Sequence, residues 1–365
     1  METKIKKTFI CRNISDYQIE SAILPEIHIP EVGDVAIFEV LSIGKHSTIQ
    51  GDSIRNEKIM AGDYIMAAFG HRYATAQFEG YVPSKIQKEF HILGAGGVVG
   101  EVKSTNDKFK DGGPTKLRII GYVTNKNGDI FNTKQMYESA MVPFEGRIGS
   151  KTNVILSVGS SMDSGKTTTA AYMVHSLTKQ GKKTAFIKLT GTAYTKDKDL
   201  AFDLGAVVST DFSALGFPST FMCNEAELLS LYQTLMVEVS AYNPDFVVIE
   251  IADGIFQRET KMLLQNKAFM STVSEVVFSA NDSLSAVCGV QTLRNWGINP
   301  FALSGMFTTS PLLIEEVNDL LDVPVYTLKE WEKTGASNLI SKTQKLSSGI
   351  MQLEKFELEQ YQEVA

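Results

Sequence analysis

Along residues 35–123 the apolar positions fall in short runs that often alternate with polar ones. The runs at 35–41, 64–69, 98–102 and 117–123 have the period-2 rhythm of strands. Ala61-Gly62-Asp63, Asp111-Gly112-Gly113-Pro114 and Asn125-Lys126-Asn127-Gly128-Asp129 punctuate this region, supplying residues suited to the positive or fixed φ of tight turns. The spacing predicts a compact β barrel or sandwich. After residue 152 the rhythm changes: apolar runs at 154–158, 184–189, 246–251, 276–280 and 301–306 alternate with segments of helical spacing at 167–180, 225–242, 284–296 and 312–321. Buried strands alternating with helices predict a doubly wound α/β domain built on a parallel sheet.

The 365 residues suit two domains better than one, because a single core stops growing near 250–300 residues. The expected division is a β-rich domain at 1–130, a linker at 131–150, an α/β domain at 151–331 and a C-terminal helical tail at 332–365. With 43% hydrophobic and 21% charged residues the chain has material for packed cores. A net charge of -7 argues against broad nucleic-acid binding, which needs Lys and Arg to neutralise phosphates. Cys11, Cys223 and Cys288 are isolated, which predicts neither a zinc cage nor a disulfide framework. No run reaches the length of a membrane span and the N-terminus has no apolar signal core, so a cytoplasmic protein is expected.

The chemistry concentrates in residues 154–169. A strand leads into Gly159-Ser160-Ser161-Met162-Asp163-Ser164-Gly165-Lys166-Thr167-Thr168, after which helical spacing begins. That is the context of a P-loop, in which backbone N–H groups and a helix N-terminus cradle phosphate oxygens. Gly159, Ser160, Asp163, Ser164, Gly165, Lys166, Thr167 and Thr168 are the expected nucleotide contacts. Lys166 reaches the terminal phosphates as a catalytic residue, and the Thr167 hydroxyl faces Mg²⁺. The common pattern has Gly five residues before Gly165, where this chain has Ser160 and carries Gly159 instead.

Gly159, five residues, then Gly165-Lys166-Thr167 resembles the P-loop of dethiobiotin synthetase and the cobyrinic-acid synthetases, relatives of MinD-like ATPases and metallochaperone GTPases. The resemblance runs through much of residues 152–330 and is specific at the loop. It implies that Lys188, in Ile187-Lys188-Leu189, is a catalytic electrophile at the end of the second strand. It also implies that Glu250, ending the run before Ile251-Ala252-Asp253-Gly254, is a metal ligand, with Asp253 as the second choice. Asp211, in Ser209-Thr210-Asp211-Phe212, is a further metal candidate. Asn281, Asp282, Thr308 and Thr309 occupy loops that contact the base in that family. The chain departs from it at Ser161, Met162 and Leu189, so substrate identity does not transfer.

Gly94-Ala95-Gly96-Gly97-Val98-Val99-Gly100 lacks the third Gly of a dinucleotide fingerprint and reads as a turn between strands. The His residues of the first half are dispersed, and His71-Arg72-Tyr73 beside Gly70 is too short a signal to assign an anion site. Taken together, the expectation is an Mg²⁺-dependent protein binding ATP, with GTP as the alternative. Its activity would be that of a ligase activating a carboxylate or carbamate by phosphoryl transfer. The competing readings are a regulatory or chaperone-like NTPase whose loops near 196–211 switch, and a sensor without turnover. A small-molecule substrate and a homodimer follow from the synthetase resemblance.

Overall fold

The computed structural model describes residues 4–146 and 152–342. The helical stretch expected near 350–361, and the end of the linker at 147–151, lie outside the described residues.

The first half folds as an antiparallel-rich sheet in which Tyr64–Phe69, Val35–Ser42, Lys116–Thr124, Glu89–Gly94 and Val98–Thr105 pair in that order. Val98 and Val99 pair in turn with Ala68 and Phe69, so five strands close on themselves. Closure removes the exposed sheet edges of an open sandwich. Alternation puts Phe38, Phe69 and Phe90 inside, where they meet edge to face with centroids 5.0–5.8 Å apart. The Gly94–Gly97 turn joins two of these strands, as the sequence predicts. Residues 130 and 132 bridge back to Thr124 and Asp34, so the start of the expected linker still belongs to the barrel.

His46 is buried beside Phe78, and burial, aided by the Lys45 and Arg72 cations, holds its pKa down at about 3. An unfolded His titrates near 6.5. Between these values the unfolded state binds a proton that the folded state refuses, so His46 costs no stability above about pH 6.5 and increasingly destabilises the fold as pH falls towards 3. Denaturant melts across this range should show the His46→Phe variant losing less stability than wild type, by at most about 1.4 kcal/mol per pH unit. Equal slopes would contradict the buried neutral state.

The second half is α/β. Strands β1 (Asn153–Gly159), β2 (Thr184–Lys188), β3 (Val208–Asp211), β4 (Phe246–Glu250), β5 (Glu275–Ser279) and β6 (Ala302–Ser304) form one parallel sheet in the order β3-β2-β4-β1-β5-β6. Helices α1 (Lys166–Lys179), α2 (Lys196–Asp203), α3 (Glu225–Ser240), α4 (Arg258–Gln265), α5 (Ser283–Asn295) and α6 (Pro311–Leu320) belong to the same domain. After β1 the chain moves out past β4 to β2, and later returns to the other side of β1. The end of β1 is therefore the topological switch point, where such sheets bind ligands. The edge strand β3 and helix α2 replace the loops expected around 196–211. Both are short and polar, with charges at 196–199 and Ser-Thr-Asp at 209–211, which hid their periodicity. Residues 328–335 turn helically under the sheet, with Trp331 fully buried against Phe301 and Tyr326. Among the described residues no helix is long and apolar enough to cross a membrane.

The two halves share a core: Phe9, Ile10 and Cys11 lie in one cluster with Phe212, Leu215 and Phe217. The barrel seats against loops at the C-terminal edge of the parallel sheet. A Cβ on Gly96 would lie 1.9 Å from the Ala193 carbonyl oxygen, so the closest backbone approach requires glycine. Burial pushes the Cys11 and Cys223 thiols up to about 12, which keeps them unreactive.

Candidate nucleotide site

β1 delivers the chain to Ser160, and α1 takes it up at Lys166. Gly165 caps the helix at φ +93° and Asp163 turns the loop at φ +62°, so the segment between them wraps the helix N-terminus. Gly159 allows the wrap: a Cβ there would lie 2.3 Å from Ser164 Oγ and 2.7 Å from Lys166 Cγ. The loop is braced from beneath. The Ser160 N–H donates to the Ser279 carbonyl at 2.9 Å, and the Met306 N–H donates to the Ser164 carbonyl at 3.1 Å. Ser157 Oγ donates to the Lys166 carbonyl at 3.2 Å, and Asn281 Nδ2 donates to Ser161 Oγ at 2.7 Å.

A cavity of about 370 Å³ lies over this loop, within the range of small-ligand sites. Asp163, Ser164, Gly165, Lys166, Thr167, Thr168, Lys188 and Glu250 line it, together with Lys196, Asp197, Leu200, Ala252, Asp253 and Met306. Gly159 and Ser160 form the base of the loop rather than the cavity wall, and the Ser160 Oγ is buried without a hydrogen-bond partner. Lys166 is 6% exposed, and its Nζ donates to the Ser161 carbonyl at 2.7 Å. Burial lowers its pKa from the ordinary lysine value, against the pull of Glu250 and Asp253. A desolvated ammonium at a helix N-terminus is a strong site for phosphate oxygens.

Strand register assembles the charges opposite the loop. Asp211 pairs with Lys188, Lys188 with Glu250, and Glu250 with Ser157, so the four residues stand in one row across the sheet. Thr167 Oγ1 donates to Glu250 Oε1 at 2.8 Å, while Glu250 Oε2 is buried with no hydrogen-bond partner. A hydroxyl beside a carboxylate with a spare buried oxygen fits a hard cation such as Mg²⁺, whose remaining positions phosphate and water would complete. Among the described residues no cluster of three or more His, Cys, Asp or Glu forms a closed metal cage.

Lys188 and Asp211 differ from a simple reading of the row. Lys188 Nζ is bonded to Asp197 and lies 3.5 Å from Glu250 Oε1, so two carboxylates neutralise it. Asp211 faces away from the phosphate cavity: it pairs with Lys198 at 2.9 Å and caps the turn at 212–215 by accepting from the Ser213 N–H at 2.8 Å. Lys198 in turn stands over the Phe9 ring of the barrel. Asp282 caps α5 and Asn281 is held on Ser161, which occupies both side chains expected near the base. Asp253 is partly buried in the wall of the cavity, and desolvation there raises its pKa against the pull of Lys166, Lys188 and Arg72.

Asp197, Lys196, Leu200 and Met306 line the site although no sequence motif marks them. The Lys-Asp-Lys-Asp run shortly after the second strand is the signal that could have found the first two. Asp253, a second metal choice by sequence, stands in the cavity wall beside them.

No family model matches the chain, and no curated protein matches it. Similar solved structures are the signal recognition particle receptor FtsY from Elizabethkingia anophelis in complex with GDP, at 16% identity over 50% of this chain and 58% of that one with a TM-score of 0.36. The signal recognition particle 54 kDa protein from Aeropyrum pernix in complex with GDP has 17% identity over 59% and 54% of the two chains, with a TM-score of 0.38. FtsY from Thermotoga maritima has 15% identity over 55% and 70%, with a TM-score of 0.36. The chain thus spans little more than half the length of the first two. The geometry described above is that of a P-loop at the start of the first helix of a parallel α/β sheet, preceded by a β-rich domain.

Proposed function

We propose that the protein is an Mg²⁺-dependent nucleoside triphosphate hydrolase that acts as a switch, the phosphate state of the nucleotide setting how the barrel is held. Thr167 and Glu250 would hold Mg²⁺, and the ion would neutralise phosphate charge. The observation that carries the reading is segment 190–203. Lys196, Asp197 and Leu200 face the phosphate cavity. Immediately before them, Tyr194 Oη donates to Asn56 Oδ1 at 3.0 Å, Gln50 Nε2 donates to Thr195 Oγ1 at 2.7 Å, and the Thr195 N–H donates to Gln50 Oε1 at 3.2 Å. One short segment therefore touches the nucleotide site and the barrel. A γ-phosphate beside Lys188 competes with Asp197 for the same ammonium, so gaining or losing that phosphate alters the hold on α2.

The synthetase reading asks Lys188 for free positive charge at the transferred phosphoryl group. Its engagement with two carboxylates supports the switch instead. In this reading the barrel receives the output, whereas a small-molecule acceptor and a homodimer belong to the synthetase alternative. The ligand is taken as ATP or GTP, since Asn281 and Asp282 are both engaged within the protein.

The test is steady-state phosphate release from Mg-ATP and from Mg-GTP, by wild type and by Gln50→Ala, whose side chain lies in the barrel. Wild type is expected to turn over one of the two. The variant should change its rate several-fold while binding that nucleotide as tightly as wild type, because it loses both hydrogen bonds to Thr195, worth about 1 kcal/mol each, besides one to the Ile54 carbonyl within its own domain. An unchanged rate would contradict the coupling.

A further inference from the structure

On the barrel side of the phosphate cavity lies a second, much smaller cleft of about 10 Å³, room for about one water molecule. Tyr73 of the barrel forms one wall, and Thr190, Thr192, Phe221 and Gln257 belong to the others. The Tyr73 ring packs on Phe221 with centroids 5.3 Å apart, which shields the cleft with apolar surface. Ala252 and Asp253 line this cleft and also line the phosphate cavity, so the two spaces adjoin at these residues.

The backbone at this junction is held in place. The Ala252 N–H donates to Thr190 Oγ1 at 2.9 Å, and the Ala252 carbonyl accepts from Thr190 Oγ1 at 3.0 Å and from Thr260 Oγ1 at 2.6 Å. Next to it, a Cβ on Gly254 would lie 2.4 Å from the Ser160 carbonyl oxygen, so the turn is pressed against the phosphate loop. Both neighbours of Asp253 are therefore fixed. The Asp253 carboxylate makes no hydrogen bond with the described residues, and Lys166, Lys188 and Arg72 act on it only through longer-range attraction. The side chain is only partly buried, so its oxygens are open to a water or a ligand in the adjoining spaces. A structural role for the side chain would show as a cap or an ion pair, as it does for Asp211 and Asp282.

We propose that Asp253 is the general base of hydrolysis, holding the attacking water in the cleft between the barrel and the phosphate site. This inference rests on the hydrolase reading. The carboxylate takes one proton from the water as its oxygen bonds to the γ-phosphorus. The bond from that phosphorus to the bridging oxygen breaks, and the electron pair leaves with the nucleoside diphosphate. The proton then passes to the released phosphate or to solvent. Because Tyr73 supplies one wall of the cleft, the β-rich domain contributes to the catalytic site, and parting the seam would admit bulk water and displace the attacking one.

The experiment compares wild type, Asp253→Asn and Asp253→Ser by calorimetric titration with Mg-nucleotide and by phosphate release, with thermal melts to verify folding. The Asn variant keeps the shape of the side chain and should bind nucleotide within about 3-fold of wild type while releasing phosphate about 100-fold or more slowly, the usual range for a lost general base. The Ser variant should behave alike, which covers the case in which Asn misfolds. Tyr73→Ala should slow release about 10-fold with affinity kept. Variants at Asp253 that hydrolyse within about 3-fold of a working wild type would overturn the base. If wild type binds nucleotide and releases no phosphate, the hydrolase reading falls first, which separates the two failures.

Discussion

Lys166→Ala should abolish measurable nucleotide binding. The ammonium is the most buried cation of the phosphate cavity and sits at the N-terminus of a 14-residue helix, whose unpaired N–H groups and dipole favour the same anion. A charge-assisted hydrogen bond to phosphate contributes about 1.5–3 kcal/mol, and two such bonds correspond to a loss of roughly two to four orders of magnitude in affinity. Folding should be spared, because the Lys166 side chain bonds only within its own loop, to Ser161 and Ser164, and its desolvation opposes its charged form. Isothermal titration of Mg-ATP and Mg-GTP, with a melt to confirm folding, checks this. Affinity unchanged by the substitution would place the nucleotide elsewhere.

The second large effect is expected at Glu250. Glu250→Gln keeps the length of the side chain and removes the charge. The amide can still accept from the Thr167 hydroxyl, now at 2.8 Å from the carboxylate, but it ligates Mg²⁺ poorly. Lys188 keeps its pairing with Asp197, so no cation is stranded. Phosphate release should therefore fall about 100-fold or more and lose its dependence on Mg²⁺ concentration, while metal-free nucleotide binding stays near that of wild type. Full activity with an unchanged Mg²⁺ titration would remove Glu250 from the metal site.

The parts of this arrangement that are readable from sequence are local ones. Gly165-Lys166-Thr167 follows a strand and opens a helix, and a P-loop is that local conformation, so the residues and the structure coincide. Glu250 is readable because it ends an apolar run, and every buried parallel strand brings its last polar residue to the same edge. What the sequence conceals depends on distant pairing. The barrel closes through Val98 and Val99 meeting Ala68 and Phe69, some thirty residues away, a contact that no alternation pattern encodes. Strand β3 and helix α2 are too short and polar to show periodicity, and they form because β3 pairs along β2 and α2 packs on α1, β2 and β3. By sequence Lys188 is a free electrophile. Whether a strand-end lysine is free depends on what the next helix carries, and here it carries Asp197. Asp253 follows the same logic: its place between two cavities exists only once Tyr73 arrives from the other domain.

The switch account is tested most directly by hydrogen exchange on the wild-type chain, saturated with Mg²⁺ and either a nucleoside diphosphate or a non-hydrolysable triphosphate analogue. The account predicts that the hairpin at residues 48–58 of the β-rich domain and residues 190–203 beside the phosphate cavity change their exchange together between the two states, because Gln50 and Asn56 hold Thr195 and Tyr194. Differences confined to the phosphate loop at 159–168, with the barrel segment exchanging identically in both states, would contradict it.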